Sequence, residues 1–163
     1  METAYKNILE HLQAKITDLR WIDLDIGQLD DPDNHYQLDY PCVLINFRTP
    51  TWRSIGGGVQ MGNTMITLRI AMRVYQDMNN HTPADIRNAG INHLTLTKVI
   101  HKHLQGWDTE IFSALNRISS EQEQRDDGLL VVNAVYTTEL MDNSASPEWT
   151  EKTVSLSINK DIT

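Results

Sequence analysis

From Thr64 to Tyr75 the sequence alternates: Ile66, Leu68, Ile70, Met72 and Val74 fall on one side, Thr67, Arg69 and Arg73 on the other. Side chains of a strand point to opposite faces in turn, so this run reads as a strand with one buried face. It is longer than the usual strand of roughly five or six residues. One end is therefore expected to reach beyond the body of the domain.

The remaining segments supply partners for it. Thr3 to Leu19 carries Ile8, Leu9, Leu12, Ile16 and Leu19 at spacings of three and four, the stripe of an amphipathic helix. From Arg20 to Ile26 the period drops to two, with Ile22, Leu24 and Ile26 alternating against Asp23 and Asp25. Pro41 opens the apolar run Cys42 to Phe47, which suits a central strand. Thr49 to Asn63, with Pro50, Trp52, Gly56 to Gly58 and Gly62, reads as a long, flexible hairpin connection. A second helix is expected to open at Thr82 as cap, with Pro83 first, and to stop at Gly106. A helical turn is expected over Asp108 to Leu115. Ile118 to Arg125 reads as an edge strand, and Asp126-Asp127-Gly128 signals a hairpin into a strand from Leu129 to Leu140. Asp142 to Pro147 turns the chain, and Trp149 to Ile158 reads as a closing strand. The sum is a single α+β domain over residues 1–163. Its mixed, mainly antiparallel sheet is packed by an N-terminal helix and one long central helix.

The length of 163 residues and the 40% apolar content suit one such core without a staple. The lone cysteine, Cys42, sits inside an apolar run and reads as a small buried hydrophobe. The net charge of −8 opposes tight non-specific nucleic-acid binding and docking on an anionic membrane. No apolar stretch is long enough to span a bilayer, and the N-terminus has no signal-peptide pattern.

No chemical site stands out. His93 and His101 lie eight apart, about 12 Å along a helix, too far to share one ion. The glycine run at 56–58 lies between strands, away from any helix N-terminus, so it lacks the setting of a phosphate cradle. Asp23, Asp25, Asp30, Asp31 and Asp33 lack the calcium-loop spacing and read as a solvated acidic face. Neither the serine-hydrolase elbow nor the P-loop pattern occurs. No catalytic residue, metal ligand or cofactor is assigned.

What remains suits protein contacts. Trp52 and Trp149 stand among polar and turn residues, and tryptophan is enriched where interfaces carry energy. Both could equally fold back on the core. By loop position and residue type, the candidate interface residues are Trp52, Arg53, Gly56, Gly57, Gly58, Gln60, Asp127, Gly128 and Trp149.

The order of these elements resembles the tail-terminator, or tail-completion, family of long-tailed bacteriophages. The resemblance runs through the N-terminal helix, the acidic strand ending at Asp30-Asp31, Tyr40 to Ile45, the Trp52 and Gly56–Gly58 loop, the strand ending Arg73-Val74-Tyr75, and the single helix before the closing strands. It implies a non-enzymatic virion protein without cofactor, forming a homo-oligomeric ring, typically a hexamer. The ring would cap the tail tube and join it to the head connector protein, with DNA passing through it without specific binding and no membrane involved. Assembly would take place in the bacterial host cytoplasm. Two other readings stay open: a phage neck or baseplate adaptor, and a small cytosolic enzyme using His93 or His101 with a nearby carboxylate.

Overall fold

The computed structural model describes residues 1–30, 38–48, 50–73 and 79–147, with backbone alone at 89, 90, 92 and 93. The elements are α1 (Glu2–Lys15), β1 (Trp21–Leu24), β2 (Cys42–Phe47), β3 (Thr51–Gly56), β4 (Val59–Arg73), α2 (Ala84–Leu104), β5 (Asn116–Gln122) and β6 (Leu129–Asp142). The expected ends of the long strand at Val74 and Tyr75, and the closing strand from Trp149 to Ile158, lie outside the described residues.

The fold is α+β. One six-stranded sheet runs β1-β2-β4-β6-β5, with β3 paired to β4 on the β2 side. Only β1 and β2 run parallel; every other pair is antiparallel. The alternation of β4 sorts the two faces. Ile66, Leu68, Ile70 and Met72 join Val43, Ile45, Ala134 and Tyr136 in one buried cluster with Ala4, Ile8 and Leu12 of α1 and Ile100 and Leu104 of α2. On the opposite face Cys42, Leu44, Ala71 and Val131 make a smaller core under Leu29, Leu38 and Tyr40. Both faces of the middle of the sheet are therefore covered, which explains the unbroken apolar run of β2.

Four expectations change. α1 stops at Lys15, because Ile16 turns extended (φ −131°). Ile16 and Leu19 keep their helical spacing and still meet the core as the chain folds back over it. Thr49 to Asn63 is no open loop. Residues 51–56 form β3, β4 begins at Val59, and Gly56, Gly57 and Gly58 make the turn at φ of 100°, 61° and 77°. Such positive angles cost glycine least. At α2 the Thr82 hydroxyl bonds to Asn79 instead of capping, and Pro83 holds the cap position. Asp108 to Leu115 is irregular, not helical. Thr109 Oγ1 accepts the N–H groups of Ile111 and Phe112, and Phe112 bridges to Leu140, so the core pins this segment.

Candidate functional site

Two strands outrun the body of the sheet. β4 has 15 residues and β6 has 14, paired from Gln60↔Asp142 to Arg73↔Leu129. Their length of about 50 Å follows from the rise of an extended chain. β2 meets β4 only from Ile66 to Ala71, and β5 meets β6 only from Val132 to Thr137. Past those limits β4 and β6 continue together, joined by β3 through Trp52↔Gly62 and Arg53↔Met61. The result is a three-stranded arm whose base belongs to the body, because Leu140 lies in the main core and residues 111–113 hydrogen-bond along β6 there. Every residue from Arg53 to Gly58 at its tip is exposed. The turn at Asn143 to Ser146 lies against it. A Cβ built on Gly58 would fall on the Ala145 carbonyl, so the two turns touch and only glycine fits.

Trp52 roots the arm. It is half-buried against the main core, and its ring lies across the bare Cα of Gly62. Trp52 thus belongs to the packing at the arm's base, while Arg53, Gly56, Gly57, Gly58 and Gln60 form the exposed outer part. Arg53 meets Glu139 at 3.2 Å, with the two side chains 60% and 39% exposed, and its guanidinium reaches the Met61 sulfur at 3.9 Å. An exposed pair of this kind contributes about 0–1 kcal/mol. Arg48 approaches the Met65 sulfur in the same way, at 3.6 Å.

The other end of the sheet carries an ion network. Arg69 Nη1 and Nη2 donate to both Asp30 oxygens at 2.7 and 2.9 Å, and Nε and Nη2 donate to Glu123 at 2.8 and 2.9 Å. Asp25 stands 3.6 Å from Arg69. Arg125 joins Asp30, Glu123 and Asp127 at 2.9, 3.1 and 2.6 Å. Hydrogen bonds from Arg69 hold the Asp30 carboxyl down to about 2 and that of Glu123 below its usual value; Arg125 does the same for Asp127. The arrangement ties residues 25–30 and the loop before β6 onto the second face. Asp127 and Gly128 therefore sit far from Trp52, at the opposite end of the sheet, and the Asp127 carboxylate also accepts the Leu129 N–H. Trp149 lies outside the described residues.

Asp25 and Asp30 of the acidic run thus partner arginines where a solvated face was expected, while Asp31 and Asp33 lie outside the described residues. Leu24 and Ile26, expected to point inward, are 42% and 67% exposed, while the Asp25 side chain is only 12% exposed. Arg69, on the polar side of a strand with a covered second face, was the signal for this. Met61 and Met65 were also missed as arm residues, because Gly62 interrupts the alternation that would have extended the long strand backwards.

His11 and His101 pack structurally, while His35 and the His93 side chain lie outside what is described. His11 stacks on Trp107 at 3.9 Å and lies 3.0 Å from the His103 carbonyl, which joins α1 to the end of α2; burial lowers its pKa. His101 Nδ1 is 3.2 Å from the Tyr136 hydroxyl, whose pKa burial pushes up to about 12. Burial lowers the His101 pKa, and the nearby Arg117 charge adds to this. No group of three or more His, Cys, Asp or Glu able to hold a metal occurs among the described residues, and no described helix is long and apolar enough to cross a membrane.

No family model matches the chain. No curated protein matches it either. Among solved structures, it is similar to a chain of a "Virion of native gene transfer agent (GTA) particle", at a TM-score of 0.48 and 7% identity, over 83% of this chain and 92% of that one. A likeness this shallow carries no argument. The reading of function rests on the arm.

Proposed function

We propose that this chain, as one domain over residues 1–163, is a structural virion protein that assembles into a ring at the head–tail junction, caps the tail tube and meets the head connector. The observation that supports it is the arm. β4, β6 and β3 extend a rigid, hydrogen-bonded projection past the body, with its tip exposed from Arg53 to Gly58. A subunit that reaches its neighbours needs such a part. Irregular loops would lose more entropy on docking than strands already held by ladders. The net charge of −8 fits a ring through which DNA slides without sticking.

Sedimentation velocity with negative-stain microscopy tests this. The purified chain, alone or with tube protein, is expected to form closed rings of one subunit number. A chain that stays monomeric at every concentration and ignores tube protein refutes the proposal.

A further inference from the structure

We infer that the arm face carrying Met61, Met65 and Met141 seats on the acidic far end of the same sheet in a second copy of this chain, joining copies head to tail. This rests on the ring assembly proposed above and names its contact.

The three methionines share a face because Met61 pairs with Met141 and Met65 lies four residues along β4. Cover on this face stops at Arg69. Leu29, Leu38 and Tyr40 overlie Cys42, Leu44, Ala71 and Val131, whereas the Met65 and Met61 sulfurs meet the exposed side chains of Arg48 and Arg53. Met141 is 39% exposed, and Met61 and Met65 are half-buried by their strand neighbours. Unbranched thioethers suit a surface that repacks against a partner.

Charge selects the occupant. Arg48 and Arg53 lie along the methionine sulfurs, and among the described residues Glu139 is the carboxylate paired with Arg53. The arm face is therefore basic in a chain of net charge −8. The excess carboxylates gather at the opposite end of the same face. There Asp25, Asp30, Glu123 and Asp127 surround the Arg69 and Arg125 guanidinium groups, with Arg73 over the Tyr40 ring and Asp126 exposed beside them, so among the described residues carboxylates outnumber cations at this end. Every other copy thus carries the complement of the arm. When each copy takes its acceptor from one neighbour and gives its own acceptor to another, the contact is heterologous. Contacts of that type close into rings when the rotation allows.

Three full-length double variants test the contact by sedimentation velocity and native mass measurement. Met61→Glu with Met141→Glu disables the arm; Arg48→Glu with Arg53→Glu, both exposed, tests the same face should the first pair fail to fold. Asp39→Lys with Asp126→Lys, also exposed, disables the far end. Each is expected to stay monomeric with a circular-dichroism melt like that of the wild type. An equal mixture of an arm variant and the far-end variant should give a dimer and nothing larger, because one intact arm meets one intact acceptor. Wild-type assembly by the far-end variant overturns the inference. So does assembly by both arm variants, which would mean that residues 148–163 or another virion protein covers the methionines. Failure of the wild type to assemble at all refutes the ring proposal instead.

Discussion

The seat of Trp52 can be tested by filling it. A Cβ at Gly62 would stand 2.7 Å from Cε3 and 3.0 Å from Cδ2 of the indole, and 2.9 Å from Cβ of Pro50. Ordinary contacts begin at 3.4 Å, so the ring would have to move by several tenths of an ångström with Pro50 crowding the same spot. The backbone at Gly62 is not in the left-handed region, so alanine fits it without torsional strain. The whole penalty is steric. Overfilling a packed site costs about 1–3 kcal/mol. In a chain of this length 1 kcal/mol moves Tm by roughly 2–4 °C, which puts Gly62→Ala about 2–12 °C below the wild type.

The same reasoning fixes the sign of a double-mutant cycle. With Trp52→Ala the obstructing ring is gone. Gly62→Ala should then cost less than in the wild type, because only the Pro50 Cβ, with the emptied indole site beside it, has to give way. Urea unfolding of the four proteins should give a coupling of about 1–3 kcal/mol. Equal effects of Gly62→Ala in both backgrounds, or no effect in the wild type, would refute the argument. The indole would then be free of Gly62 in solution and available to a partner.

Three further outcomes follow from local geometry. Gly58→Ala, at φ +77° and against the Ala145 carbonyl, should loosen the arm tip. Hydrogen exchange should rise over residues 53–61 and 140–146 while the core amides keep their protection. The carboxyls of Asp30, Glu123 and Asp127 lie below their unfolded values, so their stabilisation is complete above pH ~4.5 and is lost as pH falls toward about 2. Urea midpoints should drop across that window, and Asp30→Asn should flatten the drop; an unchanged slope would count against the network. Cys42, fully buried with its thiol pushed up to about 12, should react with a maleimide more than about a hundredfold slower than a free thiol until the fold opens. Rapid labelling of the native chain would contradict the covered second face.

What could be read from sequence was whatever depended on a period. The alternation of β4, the apolar run of β2, the hairpin before β6 and the stripe of α1 all carried over, because one buried face imposes one spacing. What could not be read depended on partners distant in sequence. Asp30 looks solvated until Arg69 and Arg125 are brought to it by β4 and the loop before β6. Trp52 looks free until Gly62 arrives beneath it across the hairpin. The arm itself was hidden by composition. Glycine and polar residues at 53–63 read as a loop, yet β6 pairs with β4 up to Gln60 and holds them extended.

The free edges of the sheet show why a contact through the arm face is favoured over strand addition. On β1, the Leu24 N–H turns away from β2, because the Asp25 N–H bonds to Ile45; Asp23 Oδ1 takes the Leu24 N–H at 2.8 Å, so the edge satisfies itself. β5 breaks register between Arg117 and Ser119, and β3 does so between Ser54 and Gly56. Bulges and local capping are the means by which edges are kept from pairing with other chains. Among the described residues the edges at β1, β3 and β5 are blunted while Met141 stays exposed on one face, which discourages indiscriminate sheet growth and leaves that face to a shape-matched neighbour. For an assembly that must close at a fixed number of copies, that division is the useful one. Edge pairing tolerates register slips, whereas a packed face fixes the rotation between copies.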